Sequence, residues 1–351
     1  MENATPPSPE GLLFEMLPKF GLADPQDINS WPYLEDHSRS INRLVATFTC
    51  EGLRYLMKAR TVEQRGAKSL FETQNILKAF CQRGVPVPAL HRAPNGETLI
   101  LGPDPRDESG AHFEVQRFLL GPEFYHVPAV YYEIQHFIPG QPPPADEHTA
   151  YRVGAVLAAF HAAGHQPETR SLAPEERHLV VPRVDTHLLN KALYINVFIK
   201  RRVARNRELH AYVKGLEAVS PEEQRKIDDL FCRIDAGSWQ SGLTWGIIHG
   251  DFCANNVLLC DKDLFIIDFD EVGLGPISHD IGDFFEDIEE AGPQKVHTLI
   301  RGYMENGGKL SDVDRTAIVD GLVLQQIATA SGNDHRELEV NHLFAEGWTL
   351  F

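Results

Sequence analysis

Three oxygen-bearing side chains lie close together in the segment 247–283, which contains much of the recognisable chemistry of the chain. Asp251 and Asn256 stand five residues apart, and Asp268 follows the next apolar run. Mg²⁺ prefers oxygen ligands and is usually held by one or two protein groups together with substrate phosphates, so this set is typical of a magnesium site. Asp and Asn are also common in turns, and the residue types alone are consistent with an ordinary hairpin.

The elements that must position these side chains are two short strands. Residues 257–267 consist of two apolar runs of strand length, separated by the polar residues 261–263. In an antiparallel pair, the start of the first strand lies beside the end of the second. We therefore expect Asn256 and Asp268 to emerge at the same edge, within reach of Asp251.

The order of residue types is more informative than the types themselves. His249-Gly250-Asp251 is followed by four residues, by Asn256, and by an apolar strand that ends in Ile267-Asp268-Phe269-Asp270. This order matches the phosphoryl-transfer template, in which one aspartate is the base and an asparagine and a second aspartate hold the metal.

The chain resembles the aminoglycoside phosphotransferase and choline kinase group, small-molecule relatives of the protein kinases. The resemblance rests on the two motifs above, with Gly275-Pro276 and His279-Asp280 after the second one, and extends more weakly from residue 30 to the C-terminus. It implies an α+β, two-lobed protein-kinase-like fold, with a small antiparallel-sheet N-lobe and a larger, mainly helical C-lobe.

A chain of 351 residues exceeds one average domain, which favours two lobes. We expect an N-terminal tail and helix at 1–30, a nucleotide-binding N-lobe at 31–140, and a catalytic and substrate-binding C-lobe at 141–351. The Pro-rich stretch 141–145 supports a boundary near residue 140.

The resemblance implies an ATP-dependent reaction that uses Mg²⁺. In it, Asp251 would orient the acceptor hydroxyl and take its proton, while Asn256 and Asp268 would hold the metal. Lys58, near the end of a predicted strand, would hold the α and β phosphates. A glutamate on the next helix would pair with this lysine, and Glu72 is the best-placed candidate.

If Glu72 does not fill this role, Glu63 is the alternative. The phosphate loop departs from the protein-kinase pattern, because residues 32–44 contain no glycine. Ser38 and Ser40 could supply hydroxyl and backbone N–H groups in its place.

The resemblance also implies that the main-chain groups from Gln135 to Phe137 would meet the adenine edge.

Alternating and helical patterns predict the surrounding elements. The predicted helices are 11–20, 67–83 and 149–163, and further helices are expected in 166–240 and 279–351. A short strand is predicted at 27–31, and a hairpin follows it at 42–58. Two more strands are predicted at 113–121 and 132–140.

His161 and His165 share a helix face at a spacing that zinc sites use. No HExxH motif is present, so packing and helix-end roles are favoured over metal binding. Five cysteines without any CxxC pair indicate neither a disulfide framework nor a thiolate zinc site.

Composition excludes several partners. The formal net charge is −17, from 33 basic and 50 acidic residues, which argues against nucleic acid and anionic membranes. No apolar run is long enough to cross a bilayer, and the N-terminus lacks the features of a signal peptide. We therefore expect a cytoplasmic protein.

The substrate is expected to be a small molecule such as an aminoglycoside, an amino alcohol or a sugar. Residues 263–294 contain ten acidic side chains and no Lys or Arg, a surface that would attract a cationic alcohol. Asp270, Asp283 and Glu286 are the candidate contacts, and Asp280 belongs to the same segment. A solvated acidic helix is the simpler interpretation, and the resemblance gives Asp280 a structural role, anchoring the loop after the metal-binding aspartate.

Two other functions stay open on the same scaffold. One is a Ser/Thr protein kinase, and the other is a non-catalytic nucleotide-binding protein, which the glycine-free phosphate loop allows. The intact set of Asp251, Asn256 and Asp268 argues against the second. A metal-dependent phosphoesterase is disfavoured, because the further His and Asp motifs of a two-metal site are missing.

Overall fold

The computed structural model describes residues 9–32, 42–62, 66–102, 129–164, 221–236, 242–284 and 293–320. The chain forms two compact units. The first consists of Met1–Gln82 and Val87–Pro139, and the second of Arg83–Pro86 and Gly140–Phe351.

A five-stranded antiparallel sheet forms the centre of the first unit. Its strands are β1 Gln26–Pro32, β2 Asn42–Cys50, β3 Leu53–Val62, β4 Leu99–Gly102 and β5 Ala129–His136. They lie in the order β1-β2-β3-β5-β4. The hairpin predicted between β2 and β3 is confirmed. Its turn residues Glu51 and Gly52 both have positive φ, 51° and 77°, as a two-residue type I′ turn requires.

The two faces of this sheet differ in character because residues alternate along each strand. Helix α1, Pro9–Met16, and the 3₁₀ turn Leu17–Phe20 cover one face. Their side chains form a buried apolar cluster with residues of β2, β3 and β5, including Phe48, Met57, Tyr132 and Ile134. The opposite face carries buried polar side chains of β3 and β5, and α2, Gly66–Gln82, reaches it.

Helices dominate the described part of the second unit. They are α3 Glu147–Gly164, α4 Pro221–Ala236, α5 Ile277–Phe284 and α6 Pro293–Glu305, followed by helical residues 312–320. Helices α3 and α6 pack at very short range, because a Cβ atom added at Gly154 would overlap the backbone of Leu299 and one added at Gly302 would overlap that of Tyr151. Within the ranges given above, no helix has the length and apolar character that a membrane crossing requires.

Two short strand pairs complete the second unit. Strand β6, Trp245–Ile248, pairs with β9, Gly273–Pro276. Strand β7, Val257–Cys260, pairs with β8, Asp263–Ile266, which confirms the predicted hairpin.

Most predicted elements that fall on described residues are present. The helices predicted at 67–83 and 149–163 correspond to α2 and α3, and the strand predicted at 132–140 corresponds to β5, which ends four residues earlier. The helix predicted at 11–20 is divided into α1 and a 3₁₀ turn. The strand predicted at 113–121 lies outside the described residues.

Candidate active site

Asp251 and Asn256 are in direct contact. The Asn256 Nδ2 atom donates to the Asp251 carbonyl oxygen at 2.8 Å and to Asp251 Oδ2 at 2.9 Å. Both partners are acceptors, so the amide group must present its nitrogen to them, and its oxygen is then the atom available to a cation. Asp251 itself is exposed, whereas Asn256 is 9% exposed.

Asp268 is brought to the same hairpin edge by the backbone. The Ile267 N–H donates to the Asn256 carbonyl at 2.9 Å, so Asp268 is the next residue after this contact. Its φ of 62° and ψ of 66° are left-handed, which is uncommon for a residue other than glycine. Such strain is often found at functional sites, where surrounding contacts maintain it.

His249 braces the loop against the end of the hairpin. It is fully buried, and its Nε2 donates to the Ile267 carbonyl at 2.8 Å. Its ring lies 4.9 Å from the Phe269 ring and 5.9 Å from the Phe252 ring, centroid to centroid, in edge-on contacts. The two motifs are therefore held together by a buried hydrogen bond and by aromatic packing.

Asp280, at 0% exposure, anchors the start of the loop. Its carboxylate accepts the N–H groups of His249 and Gly250 at 2.8 and 3.0 Å. It also pairs with His161 Nε2 at 3.0 Å, and His161 Nδ1 lies 2.9 Å from the Tyr303 hydroxyl. Both ring nitrogens of His161 are thus used within the protein, which agrees with the packing role expected for it.

The charge on Asp280 is stabilised despite its burial. Burial alone would raise the pKa of this carboxyl, but the hydrogen bond from His161 and the charges of His161, His249 and His279 lower that pKa below its ordinary value overall. Burial and the neighbouring Asp280 raise the pKa of the Tyr303 hydroxyl. Tyr303 therefore stays protonated, and its hydroxyl contacts the His161 ring at the nitrogen opposite the one that pairs with Asp280.

Only part of the acidic surface suggested by the sequence falls on described residues. Asp280 does not contribute to this surface, because its side chain is completely buried. The loop that Asp280 anchors is the one before the hairpin, at His249, and not the one after Asp268 as the resemblance implied. The Asp283 carboxylate is 19% exposed and lies 3.1 Å from His279 Nε2. Asp270 is half-buried, and Glu286 lies outside the described residues.

The residues expected to hold a nucleotide lie in the first unit. Lys58 is buried on β3, with 7% exposure, and its backbone pairs with Glu133 of β5. Glu72 belongs to α2, but the structure does not describe its side chain. Ser38, Ser40 and Glu63 lie outside the described residues.

The main-chain N–H groups at the end of β5 are already used inside the first unit. The His136 N–H donates to the Ala89 carbonyl at 2.9 Å, and the Phe137 N–H donates to the Arg54 carbonyl at 3.0 Å. The Gln135 side chain is also occupied, since its Nε2 donates to Glu133 Oε1 at 2.9 Å.

The structure contains a buried polar network near Lys58 that the sequence analysis did not predict. Arg60 Nη2 lies 2.9 Å from Glu133 Oε1, and Gln74 Nε2 of α2 donates to Glu133 Oε2 at 2.7 Å. The Thr98 hydroxyl donates to the Gln74 carbonyl oxygen. One signal was available, because Lys58 and Arg60 on β3, and Glu133 and Gln135 on β5, are polar residues at alternate positions.

The donor set suits Mg²⁺ when a substrate phosphate completes it. In the described ranges, no three His, Cys, Asp or Glu side chains cluster as a metal cage built from protein alone would require. The amide oxygen of Asn256 and the carboxylate of Asp268 are hard oxygen donors, which Mg²⁺ prefers.

Comparison with solved structures confirms the expected protein-kinase-like α+β fold. The amicoumacin kinase hAmiN in complex with AMP-PNP, Ca²⁺ and Ami aligns with a TM-score of 0.55 at 14% identity, over 95% of this chain and 89% of that chain. An aminoglycoside phosphotransferase from Alicyclobacillus acidocaldarius has a TM-score of 0.54 at 13% identity, over 90% of each chain.

A microcompartment-associated aminopropanol kinase also has this fold, with a TM-score of 0.50 at 14% identity, over 94% of this chain and 92% of that chain. The sequence model of the phosphotransferase enzyme family, APH, matches residues 37–313. The chain therefore belongs to this family, and it is a kinase that acts on hydroxyl groups. A comparison with curated proteins finds no match.

Proposed function

We propose that the protein transfers the γ-phosphoryl group of ATP to a hydroxyl of a small molecule that also carries an amine. The observation that carries this proposal is the contact between Asp251 and Asn256 at the edge where Asp268 emerges. The two aspartates and the asparagine occur there in the order that phosphoryl transfer requires.

Asp251 orients the acceptor hydroxyl and takes its proton. Its side chain is exposed, and its Oδ2 is held by the Asn256 amide, so its other carboxylate oxygen remains to face a substrate. Proton transfer to a positioned carboxylate typically contributes about a hundredfold or more to rate. The hydrogen bond from His249 to the Ile267 carbonyl and the bonds to Asp280 maintain this orientation.

Asn256 and Asp268 would hold Mg²⁺, which when bound neutralises charge on the transferred group. Asn256 is suited to this role because its amide nitrogen is already donated to Asp251. The left-handed backbone at Asp268 fixes the direction in which the carboxylate leaves the chain.

Lys58 holds the non-transferred phosphates of ATP, and Ser38 and Ser40 contribute hydroxyl and backbone donors in place of a glycine-rich loop. The resemblance implies Glu72 as the partner of Lys58.

The adenine edge is met by main-chain groups near Gln135 to Phe137. Two N–H groups in this segment are bonded elsewhere, so the adenine edge would meet other main-chain groups near them.

The substrate class is an amino alcohol in the broad sense, including aminoglycosides. The solved relatives are named as kinases of amicoumacin and aminopropanol and as an aminoglycoside phosphotransferase, which supports this class. The net charge of −17 and the acidic side chains of Asp270, Asp283 and Glu286 favour a cationic acceptor.

The test is a screen of amino alcohols, aminoglycosides and sugars for ADP release that depends on the acceptor. With the acceptor found, Asp251→Ala is expected to lower kcat by about a hundredfold or more, because the base is removed. Mg²⁺-nucleotide binding should be retained, since the Asn256 amide keeps its bond to the carbonyl of residue 251.

The matched control is Asp263→Ala, which removes an exposed carboxylate from the same hairpin and should leave the rate unchanged. Equal ATP consumption by the wild type and the Asp251 variant would contradict the proposal. Transfer to a protein hydroxyl that small alcohols do not compete with would favour a protein kinase instead.

A further inference from the structure

A pocket of about 180 Å³ lies between helix α2 and the segment 89–98, within the first unit. Lys78, Cys81 and Gln82 of α2 form one wall, and side chains of the segment 89–98 form the other. Pockets for drug-sized molecules enclose about 300 to 1,000 Å³, and one water molecule takes up about 30 Å³. This pocket therefore has the size for a small molecule of a few heavy atoms.

Both walls of the pocket are fixed by bonds to their neighbours. Two backbone hydrogen bonds, of 2.8 and 2.9 Å, join residues 89–91 to residues 134–136 at the end of β5. The hydroxyl of Thr98, which lines the pocket, donates to the Gln74 side chain of α2. A ligand would therefore meet a preformed pocket, so that little binding free energy would be lost in ordering the protein.

Two cations line this pocket without an anionic partner. Among the residues that the structure describes, neither Lys78 nor Arg92 makes a hydrogen bond or an ion pair, and no lining residue is acidic. Acidic residues outnumber basic ones by 50 to 33 in the chain, so two unpaired cations at one pocket need an explanation. Lys78 precedes the last turn of α2, so the partial negative charge of the helix end does not account for it.

The electrostatic surroundings of Lys78 favour an anion. Burial and the positive charge of Arg92 lower the pKa of the Lys78 ammonium, whereas the charge of Glu97 raises it by a smaller amount. The Cys81 thiol supplies no negative charge, because burial raises its pKa and keeps it protonated. An anion bound in this pocket would relieve the repulsion between the two cations.

We propose that this pocket binds a small organic anion, a carboxylate or a phosphate monoester, with Lys78 and Arg92 as its charged contacts. Hydrogen bonds between such cations and anionic oxygens are stronger than those between neutral groups. Leu90 and Cys81 would pack against the apolar part of the ligand. The site includes none of the residues that the proposed function assigns, and its test requires no phosphoryl transfer.

The experiment is isothermal titration calorimetry of the full chain, without nucleotide, with butyrate, propyl phosphate and butyramide. The wild type is expected to bind at least one of the two anions with a Kd of about 1 mM or lower. Butyramide has nearly the shape of butyrate but no charge, and it should bind at least about tenfold more weakly. The anion that binds more tightly identifies the class of ligand.

Variants of the two cations test where the anion binds. Lys78→Gln and Arg92→Gln should each raise the Kd of the anion by about tenfold or more, because each loses a charged contact. Lys78→Arg keeps the charge and should retain binding. Lys19→Gln removes the same charge from an exposed position of the first unit outside the pocket, and it should bind the anion as the wild type does. Thermal unfolding without ligand checks that each variant is folded.

Three outcomes would overturn the proposal. The first is that the wild type binds neither anion, and the second is that it binds butyramide as tightly as the anions. The third is that Lys78→Gln and Arg92→Gln bind the anion as tightly as the wild type does, because the anion would then occupy another site, such as the one proposed for the nucleotide phosphates.

Discussion

At the level of single residues, the candidate active site depends on which polar atoms are already bonded. The Asn256 amide nitrogen is held by Asp251, which leaves the amide oxygen for the metal in the proposed function. The His249 ring is buried and bonded to the Ile267 carbonyl, which excludes it from contact with a substrate. Burial and hydrogen bonding thus distinguish the exposed Asp251 carboxylate, which the proposed function takes as the base, from the buried His249 that holds the loop.

Asp268 combines a proposed ligand role with a strained backbone, and two variants separate these properties. Asp268→Gly and Asp268→Ala both remove the carboxylate, so both should weaken Mg²⁺-dependent nucleotide binding by about tenfold or more. Only glycine adopts a φ of 62° without steric cost. The Gly variant should therefore be more stable than the Ala variant by about 1 kcal/mol, as measured by urea unfolding. The opposite order of stabilities would contradict the argument from strain.

At the level of elements, short-range packing between helices α3 and α6 determines where His161 and Tyr303 lie. The hydroxyl of Tyr303, on α6, is 2.9 Å from the His161 ring, on α3. The helices approach this closely because Gly154 and Gly302 lack side chains at the contact. The support for the loop at Asp280 thus depends on two glycines that make no bond to it.

Gly154→Ala is expected to lower the free energy of unfolding by about 1 to 3 kcal/mol, because the new methyl group meets backbone atoms of α6 that cannot rotate away. Gly282→Ala is the matched control. It lies in α5, where nothing would be within 4 Å of the added Cβ atom, and helix propensity should make it neutral or stabilising. Thermal unfolding of the two variants measures the difference, and equal effects would show that the contact is not tight.

Elements with strong local patterns could be predicted from the sequence, and long-range contacts could not. Helices α2 and α3 and the hairpin of β7 and β8 follow from spacing and turn residues within one segment. The β6 and β9 pair joins segments far apart, and Gly273–Pro276 contains residues typical of loops. The bond between Gln74 and Glu133 spans 59 residues, and no local pattern specifies such a partner.

At the level of the whole molecule, a buried charge connects several elements of the second unit. Asp280 of α5 bonds to the loop after β6 and to His161 of α3, which in turn contacts Tyr303 of α6. Because removal of one member leaves buried donors without a partner, the network is expected to break as a unit.

The stability that Asp280 contributes depends on pH in a defined direction. Its pKa is lowered in the folded state, so its contribution is present above the ordinary value of about 3.9 and is lost as the pH falls toward the folded-state value. Asp280→Asn should be less stable than the wild type at pH 7 by about 2 to 4 kcal/mol. This difference should shrink below about pH 4, as measured by urea unfolding at several pH values. A difference that does not change with pH would contradict the assigned charge.

The helix at the beginning of the chain has a practical consequence for protein production. Residues of α1 and the 3₁₀ turn, among them Leu13, Met16 and Phe20, are completely or almost completely buried against the sheet. The family match starts only at residue 37. A recombinant polypeptide trimmed to that match would lose these side chains together with β1. One apolar face of the sheet would then be exposed to solvent, and β2 would become an unpaired edge strand. Both changes favour aggregation. A solubility tag or fluorescent label is therefore better attached ahead of Pro9 than in exchange for the first helix.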